Sequence, residues 1–255
     1  MADRAPAAGH RRVEHVMGIP VGIEVRDGGI APSVVERAFA RLRWVDETFS
    51  THRADSEVSR LDAGTLALRA AHPHVRAVLA RCERLRAATG GCFDVRATGR
   101  LDPSGIVKGW AVEAAVAVLR RAGARNACVH AGGDVRLVGE RAPGRPWRVG
   151  VQHPLERDRV AAVLGARDLA VATSGAYERG AHIVDPRTGR APAGVLSVTV
   201  AGPDLGTADA YATAAFAMGA DGPAWTATLR GYDALTILAD GRVLSTRGMD
   251  ALRAG

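Results

Sequence analysis

Two polar side chains stand one helical turn apart in the segment TADAYATAAFAMG, residues 207–219, and could bind a metal ion together. The segment is predicted to form a helix that begins at Thr207 and stops at Gly219, with Asp209 and Thr213 on one face. A carboxylate and a hydroxyl are oxygen ligands that suit Mg²⁺ or Ca²⁺, and Mg²⁺ takes few protein carboxylates when water and phosphates complete its shell. A purely structural role stays open, in which Asp209 favours the positive helix end and Thr213 faces the core.

Four glycine-rich joints lie where predicted strands meet helices or turns, and one of them could contact phosphate. They are TGGCFD (89–94), LDPSGIVKGW (101–110), HAGGDVRLVG (130–139) and VATSGAY (171–177). Glycine lets a backbone approach a ligand closely, and the helix start in SGIVKGW offers free amides to phosphate oxygens beside the ammonium of Lys108. Ordinary turn chemistry would explain each joint alone. Neither a P-loop pattern nor a dinucleotide-binding fingerprint occurs.

One histidine and one aspartate lie where a predicted strand runs into a turn. In AHIVDPRTGRAP, residues 181–192, His182 and Asp185 precede a turn at Pro186 and Gly189. A histidine there could serve as a general base, because an unperturbed imidazole titrates near physiological pH. It could equally be a structural residue at a strand end, and the residues alone leave both interpretations open.

Helical patterns dominate the first half of the chain. The segment 33–50 has apolar residues at 35, 38, 42, 45 and 49, and its Ser33 and Glu36 have the spacing of a capping box. A second helix is predicted over 72–88, ending at Gly90 and Gly91, and a third over about 107–122, ending at Gly123.

The second half is mainly β, with the helix 207–218 as its one strong exception. Predicted strands are NACVHA, DVRLVG, WRVGVQ, VAAVLGA, LAVATS, AHIVD and LSVTVA, and GIPVGIEVR precedes the first helix. ALTILADGRVLST is predicted to form a hairpin with a primed turn at Asp240 and Gly241. Helices followed by strands, without regular alternation, indicate an α+β fold. Residues 1–12 are expected to form a flexible arm, and residues 13–255 a single domain.

The composition favours a globular protein that binds a phosphate-rich small ligand. The chain has 255 residues, 47% of them hydrophobic, and a formal net charge of +7. Its basic residues are mostly isolated arginines, only 4% of residues are aromatic, and no nucleic-acid-binding signature occurs, so nucleic acid is not an expected partner. No secretion signal and no membrane span are recognised, which predicts a cytoplasmic location. The three cysteines, Cys82, Cys92 and Cys128, are expected to be buried and reduced.

The order of these motifs resembles that of the FAD:protein FMN transferases, the ApbE family, nearly from end to end. The matching segments are HVMG (15–18), FSTHRADSEVSRLDAG (49–64), TGGCFD, LDPSGIVKGWAVEAA (101–115), HAGGDVRLVG, PWRVGVQHP (146–154), ATSGAYERGAHIVDPRTGRAP (172–192) and VTVAGPDLGTADAYATAAFAMG (198–219). The resemblance implies a single α+β domain, related to the T-fold, with mixed or antiparallel sheets and flanking helices.

The resemblance also implies roles for individual residues. Mg²⁺ would be held by Asp209, Thr213 and a backbone carbonyl nearest to Gly105, and His182 would be the general base. FAD contacts would fall on Met17, Gly91, Cys92, Phe93, Asp102, Lys108, Thr173, Ser174 and Gly175. His52 stands where many members have a tyrosine that stacks on the flavin, and histidine stacks less extensively.

The implied activity is Mg²⁺-dependent transfer of FMN from FAD to a Ser or Thr hydroxyl of an acceptor flavoprotein, with release of AMP. Two alternatives stay open: a Mg²⁺-dependent FAD pyrophosphatase that gives FMN and AMP, and a non-catalytic FAD-binding protein. Many members carry a long insertion after the GGxFD loop, whereas here only VRATGR separates Asp94 from Leu101. This short connection would leave the flavin pocket less covered.

Overall fold

The computed structural model describes residues 9–156, 158–175 and 183–254, and its centre is an antiparallel sheet of eight strands. The strands of the described part are β1 (His10–Val16), β2 (Ile19–Val25), β3 (Ala127–Ala131), β4 (Asp134–Val138), β5 (Trp147–Gln152), β6 (Val160–Ala166), β7 (Ala170–Gly175), β8 (Val195–Gly202), β9 (Asp233–Leu238) and β10 (Val243–Ser245). The large sheet has the order β1-β2-β3-β4-β7-β8-β9-β10, and all its neighbouring strands are antiparallel. Strands β5 and β6 form a separate antiparallel pair.

The described residues also form seven α-helices. They are α1 (Pro32–Phe49), α2 (Glu57–Asp62), α3 (Pro73–Ala88), α4 (Ser104–Arg121), α5 (Leu205–Ala217), α6 (Gly222–Thr226) and α7 (Arg247–Leu252). This mixture of helices with antiparallel strands confirms the predicted α+β class.

Alternating side chains divide the core between the two faces of the large sheet. On β9, Ala234 belongs to the main core with the long helices, whereas Leu235 and Ile237 pack with residues of β6 and α7. Strand β7 alternates in the same way between Ala170 and Val171. Because successive residues of a strand point to opposite faces, the long helices cover one face, and β5, β6 and the short helix α7 cover the other.

Helix α5 is buried because it is apolar on nearly every side. Ten of its 13 residues are buried, and most of them are alanines that allow close packing. A Cβ atom at Gly109 of α4 would lie 2.5 Å from the carbonyl oxygen of Leu205, so only glycine permits this approach of α4 to the start of α5. The tight contact brings the polar residues of α4 and α5 together.

Two predicted helix caps are wrong. The N-cap of α5 is Asp204, whose carboxylate accepts a hydrogen bond from the amide of Thr207 at 2.8 Å, so Thr207 lies inside the helix. Helix α1 has no side-chain cap, and the predicted capping box of Ser33 and Glu36 does not form. The helix begins at Pro32, so Ser33 lies inside it, and the Glu36 carboxylate pairs with Arg43 and with Arg12, each at 2.5 Å.

Other element bounds differ modestly from prediction. The helix predicted over 72–88 is α3, whereas α4 begins at Ser104, earlier than predicted, and α2 was not predicted. The last hairpin lacks a primed turn, since Gly241 alone of the predicted pair has a positive φ, +83°, and the amide of Leu238 donates to the carbonyl of Arg242 at 2.9 Å. This pattern is a three-residue loop with glycine in the left-handed position.

Two further expectations concern segments at the limits of the described residues. Strand β1 begins at His10, so residues 10–12, which were assigned to a flexible arm, belong to the sheet, and residues 1–8 lie outside the described part. The predicted strand AHIVD is not formed at Ile183 and Val184, and its first two residues lie outside the described part.

The cysteine expectation is largely confirmed. All three cysteines are free, Cys82 and Cys92 are buried, and Cys128 is half-buried. Burial raises the pKa of Cys82 and of Cys128 to about 12, so both stay protonated thiols. Within the described residues, no helix combines the length and the apolar character needed to cross a membrane.

Candidate functional site

One cavity of about 810 Å³ gathers most of the residues that the sequence singled out. Its walls come from the β1–β2 turn, the end of α1, the segment before α4, the first turns of α4, the end of β7 and one face of α5. The candidate residues that line it are Met17, His52, Cys92, Phe93, Asp102, Gly105, Lys108, Thr173, Ser174, Gly175, Asp209 and Thr213. Folding therefore brings together side chains from both halves of the chain.

Two candidate residues are not among these lining residues. Gly91 follows the end of α3, where its amide donates to the carbonyl of Arg86 at 2.8 Å and its φ is +84°. These are the properties of a helix-terminating glycine, so the visible role of Gly91 is to end α3. His182 lies outside the described residues.

The β1–β2 turn presents Met17 to the cavity. Met17 has a φ of +56° and Gly18 a φ of +71°, as the two-residue primed turn of a hairpin requires. A methionine rarely adopts this left-handed conformation. The backbone amide of Met17 donates a hydrogen bond of 3.1 Å to the carboxylate of Asp46 on α1, which ties the turn to the cavity wall.

Lys108 lies between two buried carboxylates. Its Nζ atom is 2.9 Å from Oδ2 of Asp134 at the start of β4, and 4.0 Å from Oδ1 of Asp209 on α5. The Asp134 side chain is fully buried, and that of Asp209 is only 4% exposed. One ammonium thus faces two carboxylates, and this group carries a formal charge of −1.

Oxygen atoms of α5 and β7 meet beside this charged group. Oγ1 of Thr213 lies 3.4 Å from Oγ of Ser174. A Cβ atom at Gly105 would lie 3.4 Å from the same Thr213 oxygen and 3.2 Å from Cε2 of Phe93. The first turn of α4, the ring of Phe93 and the Thr213 hydroxyl are therefore in close contact.

Asp134 also holds the end of β7. Its Oδ1 atom accepts a hydrogen bond of 3.3 Å from the amide of Thr173, and the Thr173 hydroxyl lies 2.9 Å from the hydroxyl of Thr199 on β8. The two bonds fix the strand that carries Ser174 and Gly175 into the cavity.

Charged residues outside the cavity fix the N-terminus of α5. Asp204 accepts hydrogen bonds from the amide of Thr207 and from Arg81 of α3. Burial acts to raise the pKa of Asp204, but the Thr207 amide and the Arg81 charge outweigh it, and the net pKa is lowered. Glu113 of α4 accepts from the amide of Leu205 at 2.8 Å, and burial raises the pKa of Glu113. These contacts orient the helix that carries Asp209.

Three further lining residues differ in exposure. Cys92 is buried, and this burial raises the pKa of its thiol, so the group that faces the cavity is neutral. Asp102 is exposed, and its Oδ1 atom accepts from the amide of Ser104 at 2.9 Å at the start of α4. His52 is exposed in the segment that follows α1.

Asp185 is committed to an ion pair. Its two carboxylate oxygens accept from Nε and Nη2 of Arg187 at 2.9 and 3.0 Å, and Oδ1 also accepts from the Arg187 amide at 2.9 Å. The hydrogen bonds from Arg187 hold the pKa of Asp185 below its usual range. A carboxylate so engaged is a weak base, and its geometry is that of a turn-stabilising residue.

The oxygen-rich wall fits a hard cation. Within the described ranges, no three His, Cys, Asp or Glu side chains form a group that could hold a metal ion. The carboxylate of Asp209 and the hydroxyls of Thr213 and Ser174 are nevertheless hard oxygen donors in a region of net negative charge. Such a set suits Mg²⁺ if phosphate and water supply the remaining ligands.

Sequence reasoning missed one cavity-lining residue, Asp46, and one residue that contacts the lining, Asp134. Asp46 lies beside the apolar stripe of α1, and no local pattern distinguishes it from an ordinary surface carboxylate. Asp134 is the single acidic residue of the motif HAGGDVRLVG, so the signal for it was present, but no role followed from it.

Comparisons with known proteins all point to the same family. The sequence model of the ApbE family matches residues 17–99 and 96–236. A protein of Rhodobacter capsulatus named FAD:protein FMN transferase is 38% identical over 161 residues, and one of the same name from Vibrio cholerae is 38% identical over 129 residues. These matches cover 60% and 47% of this chain, but only 31% and 39% of the relatives' own lengths.

A solved structure shares the fold across nearly the whole chain. The flavin transferase ApbE from Vibrio cholerae superposes with a TM-score of 0.86 at 26% sequence identity. The superposition covers 97% of this chain and 100% of that one. The single-domain α+β architecture is therefore the one seen in that transferase.

Proposed function

This chain belongs to the ApbE family, and on that premise we propose that it transfers the FMN part of FAD to a serine or threonine hydroxyl of an acceptor flavoprotein, with release of AMP. The observation that carries the proposal is the convergence of Lys108, Asp209 and Thr213 on one wall of the cavity. An ammonium beside oxygen ligands suits the pyrophosphate of a dinucleotide. The cavity volume of about 810 Å³ lies within the usual range for small-molecule sites.

We assign the phosphate-binding role to Lys108 and the start of α4. Helix N-termini bind phosphate because their first amides are unsatisfied and the helix dipole is positive there. The ammonium of Lys108 is half-buried at this helix, where solvent screens it less than at the surface. Asp209 and Thr213, with a backbone carbonyl near Gly105, would hold Mg²⁺. When bound, this ion would neutralise charge on the pyrophosphate and on the transferring phosphoryl group.

We assign the flavin and its neighbouring atoms to the part of the cavity lined by Met17, Phe93 and Cys92. Met17 and Phe93 offer apolar surface to a ring system, and the neutral thiol of Cys92 adds no charge there. His52, exposed near the cavity, would contact the flavin from the solvent side. Asp102, Thr173, Ser174 and Gly175 would complete the FAD contacts with polar groups.

The reaction forms one bond to phosphorus and breaks another. The oxygen of the acceptor hydroxyl attacks the FMN phosphorus, and the bond between this phosphorus and the AMP oxygen breaks. His182 would take the proton of the attacking hydroxyl. Lys108 would balance negative charge on the phosphate oxygens, and the side chains around it would hold the reactants in line.

The decisive experiment separates transfer from hydrolysis and from simple binding. Purified protein is incubated with FAD, Mg²⁺ and an acceptor flavoprotein domain that carries a Ser or Thr acceptor, and the products are analysed by mass spectrometry. We expect the acceptor to gain the mass of FMN less one water, together with stoichiometric AMP. An acceptor in which the target hydroxyl is replaced by alanine is the matched control.

The other outcomes are equally informative. Free FMN and AMP without acceptor labelling would identify the protein as an FAD pyrophosphatase. Bound FAD with neither product would identify a binding protein. Either result would overturn the transferase proposal.

A further inference from the structure

Asp134 has a buried position behind the cavity-lining residue Lys108, and the proposed reaction does not yet use it. Its side chain is fully buried at the start of β4. One carboxylate oxygen lies 2.9 Å from Nζ of Lys108, and the other accepts from the amide of Thr173. Buried carboxylates are costly unless they are paired, so this placement calls for an explanation.

The two carboxylates beside Lys108 are not equivalent. The ammonium is 2.9 Å from Asp134 and 4.0 Å from Asp209, so it lies on the Asp134 side. Coulomb attraction falls with distance, and the nearer carboxylate therefore contributes more to holding the ammonium. An ammonium seated directly on Asp209 would repel any divalent cation at that carboxylate.

We propose that Asp134 is a positioning residue that draws the ammonium of Lys108 away from Asp209 and so lowers the repulsion that a divalent cation would meet at the Asp209 carboxylate. The inference rests on the proposed function, since it concerns the metal assigned there to Asp209 and Thr213. It explains why two buried carboxylates lie beside one ammonium. Asp134 acts through Lys108 and touches neither the metal nor the substrate.

A neutral residue at position 134 should let the ammonium of Lys108 move toward Asp209. A partly buried ammonium favours a nearby counter-charge, so Asp134→Asn should draw it closer to Asp209, the remaining carboxylate of this group. The asparagine side-chain oxygen can still accept the hydrogen bond of the Thr173 amide. The substitution therefore removes the charge of Asp134 and keeps its structural hydrogen bond.

The test is a double-mutant cycle on Mn²⁺ affinity, measured by electron paramagnetic resonance without FAD or acceptor. The four proteins are wild type, Asp134→Asn, Lys108→Gln and the double variant. We expect Asp134→Asn to weaken Mn²⁺ binding about tenfold. Lys108→Gln should raise the affinity about tenfold in the Asp134→Asn background but less than about threefold in the wild-type background.

The size of this coupling distinguishes a positioning role of Asp134 from a general effect of its charge on Mn²⁺ binding. A general charge effect would make Lys108→Gln act by the same factor in both backgrounds, and that result overturns the proposal. A double variant that binds Mn²⁺ as weakly as Asp134→Asn also overturns it. Asp94→Asn, at a carboxylate that does line the cavity, is the charge-matched control and should show no coupling to Lys108→Gln.

The folding of each variant and the proposed metal site of the wild type are checked separately. Far-ultraviolet circular dichroism and a thermal melt show whether each variant folds, and Lys108→Met replaces Lys108→Gln if the latter does not. Wild-type protein that binds no Mn²⁺ would overturn the metal assignment together with this proposal. A wild type that binds Mn²⁺ but shows no coupling would overturn the positioning role alone.

Discussion

The backbone amide of Met17 donates a hydrogen bond of 3.1 Å to Oδ2 of Asp46, and this contact joins the β1–β2 turn to α1 across 29 residues of sequence. Met17 is held there with a φ of +56°, a conformation that costs free energy for a residue with a side chain. The hydrogen bond offsets part of this cost. Asp46 therefore determines how Met17 is presented to the cavity.

Asp46→Ala is expected to weaken FAD binding about fivefold, since a half-buried hydrogen bond to a carboxylate contributes about 1 kcal/mol. Flavin fluorescence quenching measures the affinity. Glu47→Ala, at the exposed neighbouring position of α1, is the control and should bind FAD like wild type. Equal affinities for Asp46→Ala and wild type would show that the turn keeps its conformation without this bond.

Asp209→Asn is expected to abolish Mg²⁺-dependent turnover of FAD while the protein stays folded. Asparagine has the size of aspartate, so α5 can pack as before, but its neutral oxygen is a poorer ligand for a hard cation. Product analysis and circular dichroism together measure the effect. Asp240→Asn, in the loop between β9 and β10, should leave turnover unchanged. Normal turnover in Asp209→Asn would remove the metal assignment.

His182→Ala is expected to slow FMN transfer by about 10²–10⁴-fold with little change in FAD affinity, because a general base acts mainly in the transition state. Single-turnover kinetics and fluorescence titration separate the two quantities. His153→Ala, between β5 and β6 and not among the cavity-lining residues, is the matched control. A parallel loss of affinity and rate would make His182 a ligand contact.

Asp185 would be a poor replacement for that base. Its bonds to Arg187 lower its pKa and occupy both of its oxygens. Asp185→Asn should therefore change stability more than the chemical step. A loss of rate as large as that in His182→Ala, without loss of stability, would contradict this assignment.

Asp204 should make the stability of the protein depend on acid pH. Its folded-state pKa is lowered, whereas an unfolded aspartate titrates at about 3.9. Its stabilising effect is thus fully present above about pH 3.9 and is lost as the pH falls through the folded-state pKa. Urea unfolding should show that Asp204→Asn, which can still cap α5, lacks this loss between about pH 4 and 3.

A second variant distinguishes the contribution of Asp204 as a helix cap from the contribution of its charge. Asp204→Ala removes both and should lower the free energy of unfolding at pH 7 by about 1 kcal/mol. If wild type and Asp204→Asn lost stability in parallel on acidification, other carboxylates would be responsible.

Local sequence patterns determined the class of the fold and the chemistry of the metal-ligand candidates. Helix α3 was predicted nearly to its bounds because the positions of its buried residues, such as Val75 and Val78, follow helical periodicity. Asp209 and Thr213 fall on one face because their spacing is a local property of any helix. Eight motifs in the family's order indicated the family before any tertiary contact was known.

Only the tertiary structure decided which polar groups pair. Thr207 and Asp204 are both good cap residues, and Asp204 is the one that caps α5. Its carboxylate also pairs with Arg81 of α3, which comes from a distant segment of the chain. The partners Asp134 for Lys108 and Asp46 for Met17 depend on how α4 meets β4 and how α1 meets the hairpin. Periodicity reports which face of an element is buried, whereas the partner of a buried charge is set by packing between elements far apart in sequence.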